Sequence, residues 1–63
     1  GRNMVKVTFQ SRNGVYWAVC VSVSRIQGSA FLLDSLQKDS SGGGPYPWAK
    51  VPEGWEIMLV EEA

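Results

Sequence analysis

Hydrophobic and polar residues alternate along the first part of the chain, which is typical of β-strands with one face in water. Residues 4–10 place Val5, Val7 and Phe9 on one side and polar residues on the other. Residues 15–24 alternate in the same way. The intervening sequence Ser-Arg-Asn-Gly is rich in residues that favour a tight turn. The two segments are therefore predicted to form an antiparallel hairpin.

The hairpin turn allows two registers. A two-residue turn at Asn13–Gly14 would mix polar and apolar side chains on both faces. A three-residue loop over residues 12–14 places Phe9 opposite Trp17 and makes one face wholly apolar. Because a slip of one residue exchanges the two faces, burial favours the three-residue loop with a bulge at the glycine. The opposite, polar face then holds Tyr16 and Cys20.

Residues 29–38 (SAFLLDSLQK) are compatible with a helix or a strand. Ser29 is a suitable N-cap after Gly28, and Ala, Leu, Gln and Lys favour helix. The run AFLL would also suit a buried strand. A helix gives the α+β fold that we predict, ββαβ, with a three-stranded antiparallel sheet and one helix on its apolar face. A strand gives the alternative, an all-β SH3-like barrel.

The second half of the chain contains a long stretch without periodicity, residues 39–54, with a triglycine at 42–44 and three prolines. We expect an irregular loop that is either functional or disordered, with the triglycine as a flexible linker. Residues 55–60 alternate again and are predicted to be the closing strand, with residues 61–63 fraying. The predicted core consists of Val5, Val7, Phe9, Trp17, Val19, Val21, Val23, Leu33, Leu36, Trp55, Ile57 and Leu59.

The chain has 63 residues, enough for one domain with a thin core. Residues 1–3 precede Met4, which has the position of a natural start, so we expect them to be a remnant of the expression vector. Residues 4–63 are then a single small domain. A core of this size could be completed by a second copy of the chain, that is, by a homodimer. No apolar run is long enough to span a bilayer.

Cys20 is the only cysteine, and the chain contains no histidine. The commonest general base and zinc ligand is therefore missing, and Cys20 has no evident base to activate it. Acidic residues are not spaced as in a calcium loop, and the triglycine lacks the lysine of a phosphate-binding loop. We expect no catalysis, no metal and no cofactor. A single unpaired cysteine is typical of a reducing compartment, so we expect a cytoplasmic protein.

The formal net charge is zero, but the charges are unevenly distributed. Residues 1–33 contain four basic and no acidic residues, whereas residues 34–63 contain six acidic and two basic residues. Such asymmetry could help select a partner. Nucleic-acid binding through Lys6, Arg12 and Arg25 is an alternative that the small number of basic residues disfavours.

The strongest candidate for a functional surface is the pair Tyr46 and Trp48, which prolines surround at positions 45, 47 and 52. Aromatic residues in a proline-stiffened segment offer rigid contact area at low entropic cost, and Tyr and Trp are common at binding hot spots. They could instead fold back onto the core. The candidate contacts with a protein partner are Tyr46, Trp48, Lys50, Glu53 and Glu56.

Residues 48–57, WAKVPEGWEI, resemble the stretch that leads into the last strand of small podovirus proteins that inhibit bacterial RNA polymerase. Residues 16–18, YWA, are similar to a strand start in that family. The resemblance implies a three-stranded sheet with one helix that acts as a plug on the host polymerase. We therefore predict a small non-enzymatic protein that binds a protein partner, such as a phage or mobile-element inhibitor of a host enzyme.

A weaker resemblance links Val5, Val7 and residues 13–17 to the first hairpin of Tudor and agenet modules, which belong to the SH3-like class. In those modules an aromatic cage holds methylated lysine or arginine by cation–π attraction. This resemblance implies the alternative function, a reader of peptides or modified residues.

Overall fold

β-Branched and aromatic residues occur in most of the segments that form strands, and these strands pair into sheets. The computed structural model describes residues 3–63, which form seven β-strands and no helix. Gly1 and Arg2, part of the expected vector remnant, lie outside the described residues. The strands are β1 (Val5–Ser11), β2 (Gly14–Cys20), β3 (Ser22–Ser24), β4 (Phe31–Leu36), β5 (Lys38–Asp39), β6 (Tyr46–Val51) and β7 (Glu56–Glu62).

The strands form two antiparallel sheets, which we call sheet A and sheet B. Sheet A has the order β5-β2-β1-β7, and sheet B has the order β3-β4-β6. One residue, Val21, separates β2 from β3, and one residue, Gln37, separates β4 from β5. Each of these pairs is one long bent strand that passes from one sheet to the other. The prediction of an α+β fold is therefore wrong, and the all-β SH3-like alternative fits.

The segment predicted to be a helix, residues 29–38, is mostly strand. Its backbone pairs with β3 on one side and β6 on the other, and Leu33 lies opposite both Val23 and Ala49. Phe31 and Leu33 alternate into the core, as a strand requires. The helix propensity of these residues amounts to a few tenths of a kcal/mol each, which pairing on both sides and burial outweigh.

Ser35 lets this strand turn from one sheet to the other. It has a φ of 59°, one of two positive values at non-glycine residues among the described residues. Strict alternation would direct Leu36 to the outer face with Asp34, but Leu36 is buried. The left-handed residue thus interrupts the alternation and returns Leu36 to the core.

The β1–β2 hairpin has neither of the two registers considered above. Phe9 lies opposite Tyr16, and Ser11 lies opposite Gly14. The turn residues are Arg12 and Asn13, and the Asn13 backbone N–H donates to Ser11 Oγ at 3.0 Å. The predicted three-residue loop is therefore wrong, and the two faces of β2 are exchanged.

The exchange of faces follows the space available inside the barrel. Val7 and Phe9 on β1 are fully buried, and β2 contributes the fully buried Ala18 and Cys20 to the same face of the hairpin, Ala18 opposite Val7 and Cys20 opposite Val5. Trp17 points to the other face, where the Lys6 ammonium lies 4.7 Å from its ring centroid. The close-packed interior thus takes the small side chains of Ala18 and Cys20 rather than Trp17. A prediction that maximises the apolar character of one face does not include this packing constraint.

The observed core lies between the two sheets. Five predicted members are buried as expected: Val7, Phe9, Val19, Leu33 and Leu36. Others were predicted wrongly, because Val21, Ile57 and Leu59 are 43%, 40% and 51% exposed. The complete set of buried apolar residues is Val7, Phe9, Ala18, Val19, Cys20, Ala30, Phe31, Leu33, Leu36 and Val51.

The predicted irregular loop at residues 39–54 is largely ordered. Its first part is a tight turn around the Asp39 carboxylate, which accepts hydrogen bonds from the N–H of Ser41 (3.0 Å) and of Gly43 (2.7 Å). A Cβ atom at Gly44 would overlap the Gln37 carbonyl oxygen. The triglycine is thus part of a hydrogen-bonded turn rather than a flexible linker. The closing strand was predicted, but it extends to Glu62 instead of fraying at residue 61.

Candidate functional site

The outer face of β6 presents two large aromatic side chains and one lysine. Tyr46, Trp48 and Lys50 occupy alternate positions of the strand, so they share one face. Tyr46 is 54% exposed and Trp48 is 58% exposed, while Ala49, which lies between Trp48 and Lys50, packs against the core. The two aromatic residues were expected in an irregular loop or folded back on the core, and the structure instead places them on a strand. We call Tyr46, Trp48 and Lys50 the β6 face.

Contacts with neighbouring residues position the β6 face. In the ladder with β4, Trp48 lies opposite Asp34 and Lys50 lies opposite Leu32. The Lys50 ammonium is 6.0 Å from the Trp48 ring centroid, at the outer limit of a cation–π contact. The face therefore combines aromatic area with a cation, and the exposed carboxylate of Asp34 adjoins it on β4.

The two acidic candidates lie elsewhere, after the end of β6. Glu53 is in the β6–β7 turn, and Glu56 is the first residue of β7. Both line a groove of about 610 Å³ together with Arg25, Phe31 and Trp55. The Arg25 guanidinium carbon lies 4.7 Å from the Phe31 ring centroid. The structure therefore divides the five predicted contacts between the β6 face and this groove, which we call the turn groove.

A smaller pocket of about 270 Å³ shares one lining residue with each of the two regions, Lys50 with the β6 face and Trp55 with the turn groove. It is lined by Tyr16, Lys50, Val51, Pro52 and Trp55. The Tyr16 and Trp55 rings meet edge to face, with centroids 6.1 Å apart and an interplanar angle of 62°. We call it the aromatic pocket. Lys50 thus belongs to both the β6 face and this pocket.

Tyr16, Trp55 and Arg25 were not among the predicted contacts. Tyr16 was assigned to the polar side of the hairpin because the predicted register of β2 was wrong. Trp55 was assigned to the core because no local sequence pattern shows which residues cover the end of the barrel. Arg25 was considered only for nucleic acid. In the sequence Trp55 lies between the acidic candidates Glu53 and Glu56, and this proximity was the one signal that could have indicated its place.

The hydroxyl of Tyr16 donates a hydrogen bond to Asp39 Oδ2 at 2.8 Å. Burial, this hydrogen bond and the negative charge of Asp39 all raise the pKa of Tyr16, so its hydroxyl stays protonated. Burial alone would raise the pKa of Asp39, but hydrogen bonds from Tyr16, Gly43 and Ser41 outweigh it and lower that pKa below its ordinary value. The hydrogen bond between Tyr16 and Asp39 therefore links the aromatic pocket to the turn that follows β5.

Cys20, the last residue of β2, is fully buried, and burial raises the pKa of its thiol, which disfavours the nucleophilic thiolate. Among residues 3–63, no group of three or more His, Cys, Asp or Glu side chains is placed to hold a metal ion. That part of the chain also has no helix long and apolar enough to cross a membrane. Comparisons with protein-family models, with curated proteins and with solved structures give no match.

Proposed function

We propose that this protein is a small non-enzymatic interaction domain that binds an extended segment of a protein partner across the β6 face. Tyr46 and Trp48 make the main contacts, and Lys50 adds a charged one. The observation that supports the proposal most is the exposure of both aromatic side chains, each more than half accessible, on one face of a paired strand. Large aromatic residues exposed in this way carry much of the binding energy at many interfaces.

The strand fixes the spacing of the two aromatic rings before the partner arrives. Alternate residues of a strand are about 7 Å apart, and this distance matches alternate residues of an extended peptide. Pairing with β4 holds Trp48 in register opposite Asp34. Little conformational entropy is then lost on binding, which favours affinity.

The acidic residues of the turn groove extend the surface. Glu53 and Glu56 line the groove together with Arg25, so the groove presents both signs of charge at its edge. Aromatic side chains, Phe31 and Trp55, complete its lining. We expect a basic side chain of the partner to reach Glu53 or Glu56 while the apolar part of the partner lies over Trp48.

The identity of the partner is a separate matter. A host polymerase is suggested only by the resemblance of residues 48–57 and 16–18, and the three strands and one helix that this resemblance implied are not the architecture found. The polymerase target is therefore a prediction that the fold does not support.

A second candidate function is a reader of modified residues, which the SH3-like architecture and the aromatic pocket favour. Tyr16 and Trp55 present two rings at 62°, and the Asp39 carboxylate bonds to the Tyr16 hydroxyl. A trimethyllysine peptide would bind there by cation–π attraction. Fluorescence titration of wild type and Trp55→Phe with this peptide tests this second function. Equal affinity of wild type for the trimethyllysine peptide and for the unmodified peptide would contradict it.

The β6 face can be tested by capture of partners from a bacterial lysate on immobilised protein. Wild type is compared with Trp48→Ala and with Val15→Ala, a control in which an equally exposed residue is changed on β2. We expect Trp48→Ala to bind the recovered partner about thirtyfold more weakly, the effect of losing a hot-spot residue. Val15→Ala should behave as wild type. Equal recovery by all three proteins would contradict the proposal.

A further inference from the structure

The last strand, β7, lies at the edge of sheet A and pairs with β1 alone. No strand of residues 3–63 pairs with its other edge, which therefore presents unpaired backbone N–H and C=O groups. The strand that precedes it in the chain, β6, belongs to sheet B, and the two are not neighbours in either sheet. The barrel is open between β6 and β7, and a long exposed edge of this kind is a template for another strand.

The side chains of β7 are exposed on both faces. Its four central residues are apolar, and their exposed fractions lie between 40% and 55%: Ile57, Met58, Leu59 and Val60. In a covered strand one face would be buried. The register with β1 shifts between Thr8 and Phe9, which marks a bulge in this ladder. The extra residue of the bulge is Met58, which has no partner residue on β1.

Acidic residues flank the apolar centre of β7. Glu56 precedes it, and Glu61 and Glu62 follow it. On the side already paired, Glu61 lies opposite Lys6 of β1, so the existing neighbour supplies a complementary charge. On the free side, no strand in the described part of the chain lies opposite these glutamates to supply a complementary charge.

The flanking charges argue against a second copy of the chain as the occupant. In the antiparallel register that pairs Ile57 with Val60 and Met58 with Leu59, Glu56 of one copy falls opposite Glu61 of the other. In a parallel register Glu61 would face Glu61. Like charges directly opposite each other destabilise a sheet.

We propose that the free edge of β7 binds, by strand addition, an extended segment of a partner protein whose centre is apolar and whose ends are basic. Backbone hydrogen bonds supply sequence-independent affinity, and the apolar side chains of residues 57–60 cover those of the partner. The glutamates at the two ends set the preference for lysine or arginine. This surface is separate from the β6 face, so either proposal can fail without the other.

A blocked peptide with the sequence KKVTVTVKK tests this proposal, and EEVTVTVEE is its charge-reversed control. Titration of isotope-labelled protein should shift backbone amide resonances of residues 56–62 with the lysine peptide and not with the glutamate peptide. Added salt should weaken the binding, because the exposed charges are screened. Trp48→Ala should bind the lysine peptide as wild type does.

The double variant Glu61→Gln/Glu62→Gln removes the acidic end of the strand. We expect it to bind the lysine peptide about fivefold more weakly, the effect of losing two exposed charge pairs. Asp34→Asn, which removes an exposed acid from sheet B, should leave the affinity unchanged. Equal binding of both peptides, shifts confined to other strands, or concentration-dependent dimerisation through β7 in sedimentation experiments would each overturn the proposal.

Discussion

At the scale of single residues, Asp39 organises the turn that links β5 to β6. Its carboxylate accepts hydrogen bonds from Tyr16, Ser41 and Gly43. These donors favour the charged form, so the pKa of Asp39 lies below its ordinary value in the folded protein. The turn that was expected to be a flexible linker therefore depends on one ionised group.

The lowered pKa of Asp39 predicts how stability depends on pH. The charged carboxylate stabilises the folded state above the unfolded-state pKa of about 3.9, and this contribution is lost as the pH falls toward the lower pKa of the folded state. Urea unfolding between neutral pH and pH about 2.5 should show the loss. Asp39→Asn should reduce the free energy of unfolding at neutral pH by about 1 kcal/mol and weaken the acid dependence.

A matched variant distinguishes this explanation from general acid destabilisation. Tyr16→Phe keeps the ring but removes one hydrogen bond to Asp39, so it should raise the pKa of Asp39 and move the acid loss to higher pH. If Asp39→Asn and wild type lose stability in parallel as the pH falls, the carboxylate is not responsible.

At the scale of elements, the sequence predicts the strands in which hydrophobic and polar residues alternate regularly. It misses the strands that form only because they pair with neighbouring strands in the folded protein. Residues 4–10 and 55–60 were predicted as strands from their alternation, and they overlap the observed β1 and β7. Residues 29–38 have helix-favouring composition, and only their pairing with β3 and β6 makes them a strand. The β2 faces were exchanged because the interior admits Ala18 and Cys20 rather than Trp17, a packing constraint that one strand alone does not show.

The strand at residues 31–36 predicts unequal roles for two adjacent leucines. In β4 Leu33 is fully buried, whereas Leu32 is partly exposed on the outer face. Leu33→Ala should lower the free energy of unfolding by about 3 kcal/mol, the usual cost of a core truncation, and Leu32→Ala by about 1 kcal/mol. Chemical denaturation of both variants measures the difference. Equal losses would contradict the assignment of β4.

At the scale of the whole molecule, the chain is a small barrel with an open seam between β6 and β7. The β6 face lies on the strand at one side of the seam, and the free edge of β7 lies at the other. The turn groove and the aromatic pocket both include Trp55, from the turn that joins the two strands. The surfaces that we propose to bind a partner are thus concentrated where the barrel is least complete.

The candidate site was predictable in part. Tyr46 and Trp48 stood out because prolines flank them, and both are exposed as a contact surface requires. Their alternation on a strand was hidden, since Pro47 obscured the strand pattern of residues 46–51. Glu53 and Glu56 were grouped with them by sequence proximity, but the β6–β7 turn directs them to a different groove.

The central claim is that the β6 face binds the partner. Its most direct test is a map of the contact surface by nuclear magnetic resonance. Isotope-labelled protein is titrated with the partner recovered by capture, and amide shifts are followed along the chain. We predict the largest shifts at residues 46–50 and none at the hairpin turn formed by Arg12 and Asn13. Amide shifts at other residues with no change at residues 46–50 would contradict this claim.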